Sequence, residues 1–217
     1  MGRTIETYRR RLQDPKRARD YAERFERGEH KRIDQREQRA VRRIFAGLKD
    51  CRTVLDVPSG AGRFVGSLNE GGRLVFEMDA AFEVLEFAQA RARKSGAHAS
   101  FAQADASRLP ITTGAVDAVF CNRLLHHLTR FEERAVILRE LHRVARRSVV
   151  VSFFDYRGFG TLRKLLKRVR GRKPDYEGQP TLEEFSKEVA DCGFQLKDVV
   201  PTGGPWVSQK YFLLEKA

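Results

Sequence analysis

The segment Thr53-Val54-Leu55-Asp56-Val57-Pro58-Ser59-Gly60-Ala61-Gly62-Arg63-Phe64 decides the reading of the chain. A run of Val and Leu reads as a buried strand, glycine-rich turn formers follow, and a helical pattern occupies residues 62–69. Such a turn brings backbone N–H groups close to a ligand, because glycine has no side chain to hold the ligand away. The spacing disfavours a dinucleotide. That fingerprint needs a third glycine three residues after Gly62, where Val65 stands, and the nearest glycine is Gly66. Asp56 closes the strand just before the glycines, where a carboxylate repels a pyrophosphate but accepts from an ammonium group. A cationic ligand suits it better.

Working outward, short Val-, Leu- and Phe-rich runs alternate with longer helical patterns, as in repeated βαβ units around a parallel sheet. The pattern predicts strands near 53–57, 74–78, 98–103, 116–121, 147–153, 194–200 and 209–215, and helices near 62–69, 81–94, 131–144 and 181–191. The last two strands flank the turn-rich stretch Pro201-Thr202-Gly203-Gly204-Pro205, which predicts a hairpin with an antiparallel edge rather than another crossover. Two helices precede the sheet, over 16–28 and from about Asp34 to Leu48. In the second, Ile33, Ala40, Val41, Ile44, Phe45 and Leu48 form one apolar face while Arg36, Arg39, Arg42 and Arg43 stay wet. Two further carboxylates follow in strand order. Asp79, about 20 residues beyond the glycine turn, stands where a carboxylate takes both ribose hydroxyls, a position that favours it over Glu77. Asp105 can accept from an exocyclic amine, and Ala106 can offer a backbone N–H beside it. Each Asp alone reads equally well as a helix cap or turn residue.

The order of these segments resembles the class I S-adenosylmethionine-dependent methyltransferases, from about Tyr21 to the C-terminus. VLDVPSGAGRF resembles that family's first motif, EMDAAFEVLEFA its ribose-binding acidic segment, and QADASRLPITTGAVDAVFCNRLLHHL its adenine loop and fourth strand. LRELHRVARRSVVVS resembles the helix and fifth strand that follow. The nearest likeness is to small-molecule and quinone-type methyltransferases. The resemblance implies an α/β, Rossmann-like, seven-stranded, mostly parallel sheet with an antiparallel C-terminal hairpin strand and helices on both faces. It implies S-adenosyl-L-methionine as cofactor and S-adenosyl-L-homocysteine as product. Contacts are expected from Asp56, Pro58, Ser59, Gly60, Gly62, Arg63, Asp79, Ala80, Asp105, Ala106, Asn122 and Arg123, with Tyr21 closing over the cofactor. Tyr21 packing on Phe25 and Arg123 in a surface ion pair are the alternatives. One departure is Pro58, where the family has Gly: φ is locked and an N–H donor is lost.

Sulfonium methyl transfer is an in-line displacement on a strong electrophile, so proximity and desolvation supply much of the acceleration and no universal catalytic residue is required. A hydroxyl acceptor needs a base, and His126 and His127 are the candidates, with His126 preferred. The alternative is that the pair only packs its loop and bonds backbone carbonyls.

The chain has 217 residues, 41% apolar and 33% charged, which suits one soluble domain: an N-terminal helical cap over 1–50 and a methyltransferase core over 51–217. No membrane span, signal peptide or metal-ligand spacing is legible, and Cys51, Cys121 and Cys192 fit a reducing cytoplasm. The formal charge of +13 resides in two segments, +7 in residues 1–50 and +6 in residues 155–175. The second belongs to an insertion over about 156–175 that reads as a basic amphipathic helix with Leu162, Leu165, Leu166 and Val169 on one face. An anionic small-molecule or lipid/glycan acceptor is expected, with peripheral contact at an anionic inner membrane surface. RNA is the second choice, and a catalytically inactive cofactor-binding partner subunit the third. Trp206 lines the pocket or anchors the hairpin.

Overall fold

The computed structural model describes residues 13–154, 180–204 and 207–217. The chain enters through α1 (Pro15–Glu23), where Asp14 caps the helix by accepting from the Arg17 N–H at 2.9 Å and Pro15 supplies a preset φ. The expected first helix to residue 28 is broken: a 3-10 turn covers Arg24–Glu26, and Gly28, at φ +56°, lets the chain turn into α2 (Gly28–Gly47). Next come β1 (Thr53–Asp56), α3 (Val65–Asn69), β2 (Leu74–Asp79), α4 (Phe82–Ser95), β3 (Ala99–Gln103) and β4 (Val116–Cys121). After a 3-10 turn at Leu125–His127 follow α5 (Phe131–Val144), β5 (Ala145–Phe154), α6 (Leu182–Asp191), β6 (Phe194–Pro201) and β7 (Gln209–Lys216).

The seven strands lie in the order β3-β2-β1-β4-β5-β7-β6, with β7 antiparallel to both its neighbours and the other adjacent pairs parallel. The hairpin therefore returns inward: β7 fills the place beside β5 and β6 becomes the edge. All strands but β7 thus end on one side, where the glycine turn sits. One face of the sheet packs α2 and α3 through Val41, Phe45, Phe64 and Leu68 on Val54, Phe120 and Tyr211. Phe64 meets Phe120 edge-on with centroids 4.9 Å apart, a geometry contributing about 1 kcal/mol beyond area burial. The opposite face packs α5 and α6, with Phe185 stacked on Phe153 at 4.1 Å. Arg134 of α5, almost wholly buried, pairs with Glu188 of α6 and donates to the Leu128 carbonyl at 2.7 Å. At the far end of the sheet Asp117 accepts from the Arg52 and Thr53 N–H groups, both at 3.0 Å, which fixes the start of β1 to β4. The expected basic insertion over 156–175 and Trp206 lie outside the described residues.

Candidate functional site

Parallel register pairs Asp56 of β1 with Glu77 of β2, so the two side chains leave the sheet on the same face, and Asp79 shares that face two residues on. All three are buried. Asp79 holds the glycine turn against β2: one oxygen accepts from the Gly60 N–H at 2.8 Å and the other from the Ala81 N–H at 2.9 Å. Burial still pushes its pKa up to about 6. Burial pushes Glu77 up to about 8, and Glu77 lies beside the equally buried Ser59 hydroxyl without closing a hydrogen bond of normal geometry. Asp56 is raised well above the usual carboxylate range, first by burial and then by the charges of Glu77 and Asp79, and neither of its oxygens accepts a hydrogen bond. Buried carboxylates without compensation beside a glycine turn fit a cationic ligand, which restores the missing counter-charge. Glu77, passed over on position alone, belongs to this cluster.

The two glycines of the turn do different work. Gly62, at φ +67°, passes so close to α4 that a Cβ would meet Ala88 Cα at 2.7 Å, so its bareness serves helix packing. Gly60, at φ +54°, lies under Tyr21, whose Cε1 would be 3.0 Å from an added Cβ. Tyr21 thus covers the turn. Its helix is held there by Arg91, which donates to the Ala61 carbonyl at 2.7 Å and to the Ala22 carbonyl at 2.5 Å. The Val57–Pro58 peptide is cis, and the Ser59 N–H donates to the Met78 carbonyl at 2.9 Å. Ala80 follows Asp79 directly, and its carbonyl accepts from Gln103 at 2.9 Å.

Arg63 and Arg123, expected as cofactor contacts, are committed elsewhere. Both pair with Glu37 of α2, whose side chain is 1% exposed. Arg63 also bonds Asp34 at 2.7 and 2.9 Å and lies 3.4 Å over the Phe25 ring. Arg123 donates to Gln209 at 3.0 Å. It holds φ +59°, rare for a residue with a Cβ, while its N–H donates to Ser152 Oγ at 2.7 Å. Asn122 is buried and accepts from Tyr211 at 3.3 Å and Gln209 at 3.4 Å, both from β7. This network fastens α2 to the glycine turn and to the end of β4, because two guanidinium groups out of water need a shared carboxylate. Sequence reasoning missed Glu37, Asp34, Ser152 and Gln209.

Asp105 serves its own turn with one oxygen, accepting from the Ser107 N–H at 2.8 Å and hydroxyl at 2.7 Å, while Ala106 is buried beside it. The two histidines differ. His126 is buried against His127 and Phe154, with ring centroids 4.0 and 4.7 Å away. Burial first, then His127 and Arg123, lower its pKa to about 2. Burial thus disfavours the protonated form of His126, whereas His127 beside it is half-buried.

With this geometry in hand, the likenesses to known proteins take on meaning. Residues 55–153 match the family described as "Methyltransferase domain". An uncharacterized protein of Mycobacterium tuberculosis and one of Mycobacterium bovis are each 32% identical over 129 residues, 59% of this chain and 46% of theirs. The chain thus spans a little under half the length of the curated relatives it matches. Among solved structures, the magnesium protoporphyrin IX methyltransferase from Synechocystis PCC 6803 with bound SAH superposes with a TM-score of 0.78 at 19% identity, covering 99% of this chain and 100% of that one. A SAM-dependent methyltransferase from Aquifex aeolicus gives 0.64 at 19% identity, covering 94% and 99%. The fold is that of these S-adenosylmethionine-dependent methyltransferase structures, and the stretch from β1 to β5 matches a methyltransferase domain. The acceptor is a separate question.

Proposed function

We propose that this protein transfers a methyl group from S-adenosylmethionine to an anionic small-molecule or lipid/glycan acceptor, at oxygen, with His127 as the base. The single observation that carries the transfer reading is the buried Asp56, which has neither a hydrogen bond nor a paired cation and precedes the glycine turn. Asp56 and Glu77 would face the cationic end of the cofactor, Asp79 its ribose, Asp105 and Ala106 its adenine, and Tyr21 would cover it at Gly60. When bound, the cofactor supplies an electrophilic methyl carbon on a sulfonium. The acceptor oxygen would bond to that carbon as the carbon–sulfur bond broke to leave a neutral thioether, and His127 would take the acceptor's proton. Support for an anionic acceptor is the net charge of +13 and the open arginines of α2.

Calorimetric titration with S-adenosylhomocysteine tests this reading on the parent chain and on Asp79→Asn, which keeps an acceptor for the turn N–H but loses the charge that takes ribose hydroxyls. Binding by the parent and a several-fold weaker affinity in the variant are expected. A folded parent that gives no heat would refute it.

A further inference from the structure

We propose that the groove between α2 and the β6–β7 turn is an anion subsite that takes the phosphate groups of the acceptor. Its volume is about 510 Å³, and it is lined by Arg36, Arg39 and Arg43 on one side and by Val200–Gly204 on the other. The three arginines recur at spacings of three and four, so they share one helix face and span roughly 10 Å, enough to engage two anionic groups. Among the described residues no carboxylate stands within ion-pair range of any of the three. Arg42, on the same helix but outside the groove, is by contrast paired with Glu70 at 2.5 Å. A second cavity of about 490 Å³, at the opposite end of the sheet, also holds arginines, but there Arg146 is paired with Asp117 and Arg147 with Asp50. The α2 groove thus gathers three guanidinium groups that lack a carboxylate partner among the described residues, and a phosphate can accept two parallel N–H bonds from one of them.

Two further features give the groove its use. Gly203 is bare because of Val207, whose Cγ2 would be 2.7 Å from an added Cβ, and the Arg36 stem lies beside it, its Cδ 3.5 Å from the same point. The adjoining Thr202 donates its hydroxyl to the Gln209 carbonyl at 2.8 Å, and the Gln209 side chain accepts from Arg123 at the end of β4. The groove therefore adjoins the end of the sheet that carries the glycine turn. Its size suits a small molecule or a lipid headgroup, and among the described residues no aromatic side chain lines it as a stacking platform for bases. Its role as an acceptor subsite rests on the methyl-transfer reading. Anion binding itself does not.

The test is calorimetry with inorganic pyrophosphate at low ionic strength on the parent, Arg39→Gln/Arg43→Gln and Arg42→Gln. All three substituted arginines are exposed, so the fold is retained. We expect the parent to bind, the double variant to lose at least about tenfold, and Arg42→Gln to change little. Absence of binding, or an equal loss in Arg42→Gln, overturns the proposal. Phosphatidylcholine vesicles with and without phosphatidylglycerol separate the sources. Supporting outcomes are pyrophosphate-competed binding to the anionic vesicles alone, which assigns a lipid headgroup, or pyrophosphate binding without vesicle binding, which assigns a soluble phosphate. Tighter binding of a single-stranded RNA that pyrophosphate does not displace overturns it in favour of a nucleic acid. S-adenosylhomocysteine affinity, measured on the same samples, stays unchanged in the double variant, so failure of the groove and failure of the cofactor site are distinguishable.

Discussion

Replacing Glu37 with Gln keeps its shape and removes the charge shared by Arg63 and Arg123. The Glu37 side chain is 1% exposed, Arg63 6% and Arg123 22%, so little water reaches the stranded guanidinium groups. Removing one partner of a buried ion pair costs about 3–5 kcal/mol. Arg63 keeps Asp34 and Arg123 keeps Gln209, which sets the expectation at the lower end, about 3 kcal/mol. For a chain of this size that corresponds to a fall in Tm of roughly 6–12 °C. Thermal unfolding followed by circular dichroism, with urea denaturation to check two-state behaviour, reads the shift directly. The cycle with Arg123→Gln should show a coupling energy of about 1 kcal/mol or more. A Tm change under about 2 °C, or strict additivity in the cycle, would refute the idea that Glu37 fastens α2 to the core.

Gly62→Ala should destabilise by about 2–4 kcal/mol, from the positive φ and from overlap with Ala88, whereas Gly114→Ala, with the same backbone need and open space around it, should lose only about 1 kcal/mol. Equal urea midpoints for the two variants would contradict the packing role of Gly62. The raised Glu77 gives a pH signature of definite sign. Its folded pKa of about 8 exceeds its ordinary value of 4.5, so the folded state binds more protons between these limits, and stability present at pH 4 is lost as pH rises through 8. The slope is at most about 1.4 kcal/mol per pH unit for one proton. Glu77→Gln should flatten the fall in urea midpoint between pH 5 and pH 8, and an unchanged profile would remove Glu77 from the buried cluster.

The strands were legible because apolar runs and turn formers alternate in sequence, and each predicted strand lies within a few residues of its observed place. Strand order was less so: nothing local tells β7 to insert beside β5 and leave β6 at the edge. The carboxylates Asp56 and Asp79 were legible from position, since strand ends beside a glycine turn are fixed by the fold. The roles of Arg63 and Arg123 were not, because their partner lies in α2, 26 and 86 residues away in sequence. A signal for that partner did exist. Glu37 stands on the apolar stripe of α2, three residues before Ala40, four before Val41 and seven before Ile44, and a carboxylate on a buried stripe requires a buried cation. Gly62 was read as making room for a ligand because sequence cannot distinguish a ligand from the backbone of Ala88.

Strand β7 carries a consequence for biosynthesis. It is made after every other strand, yet it occupies an interior place in the sheet and brings Gln209 and Tyr211 to Asn122 and Arg123. Until it emerges, the nascent chain exposes an open edge on β5 and leaves the polar end of β4 without these partners. Completion of the sheet and completion of the site are therefore one late event, and a chain stalled before Gln209 offers the cell an unpaired strand edge rather than a slower enzyme.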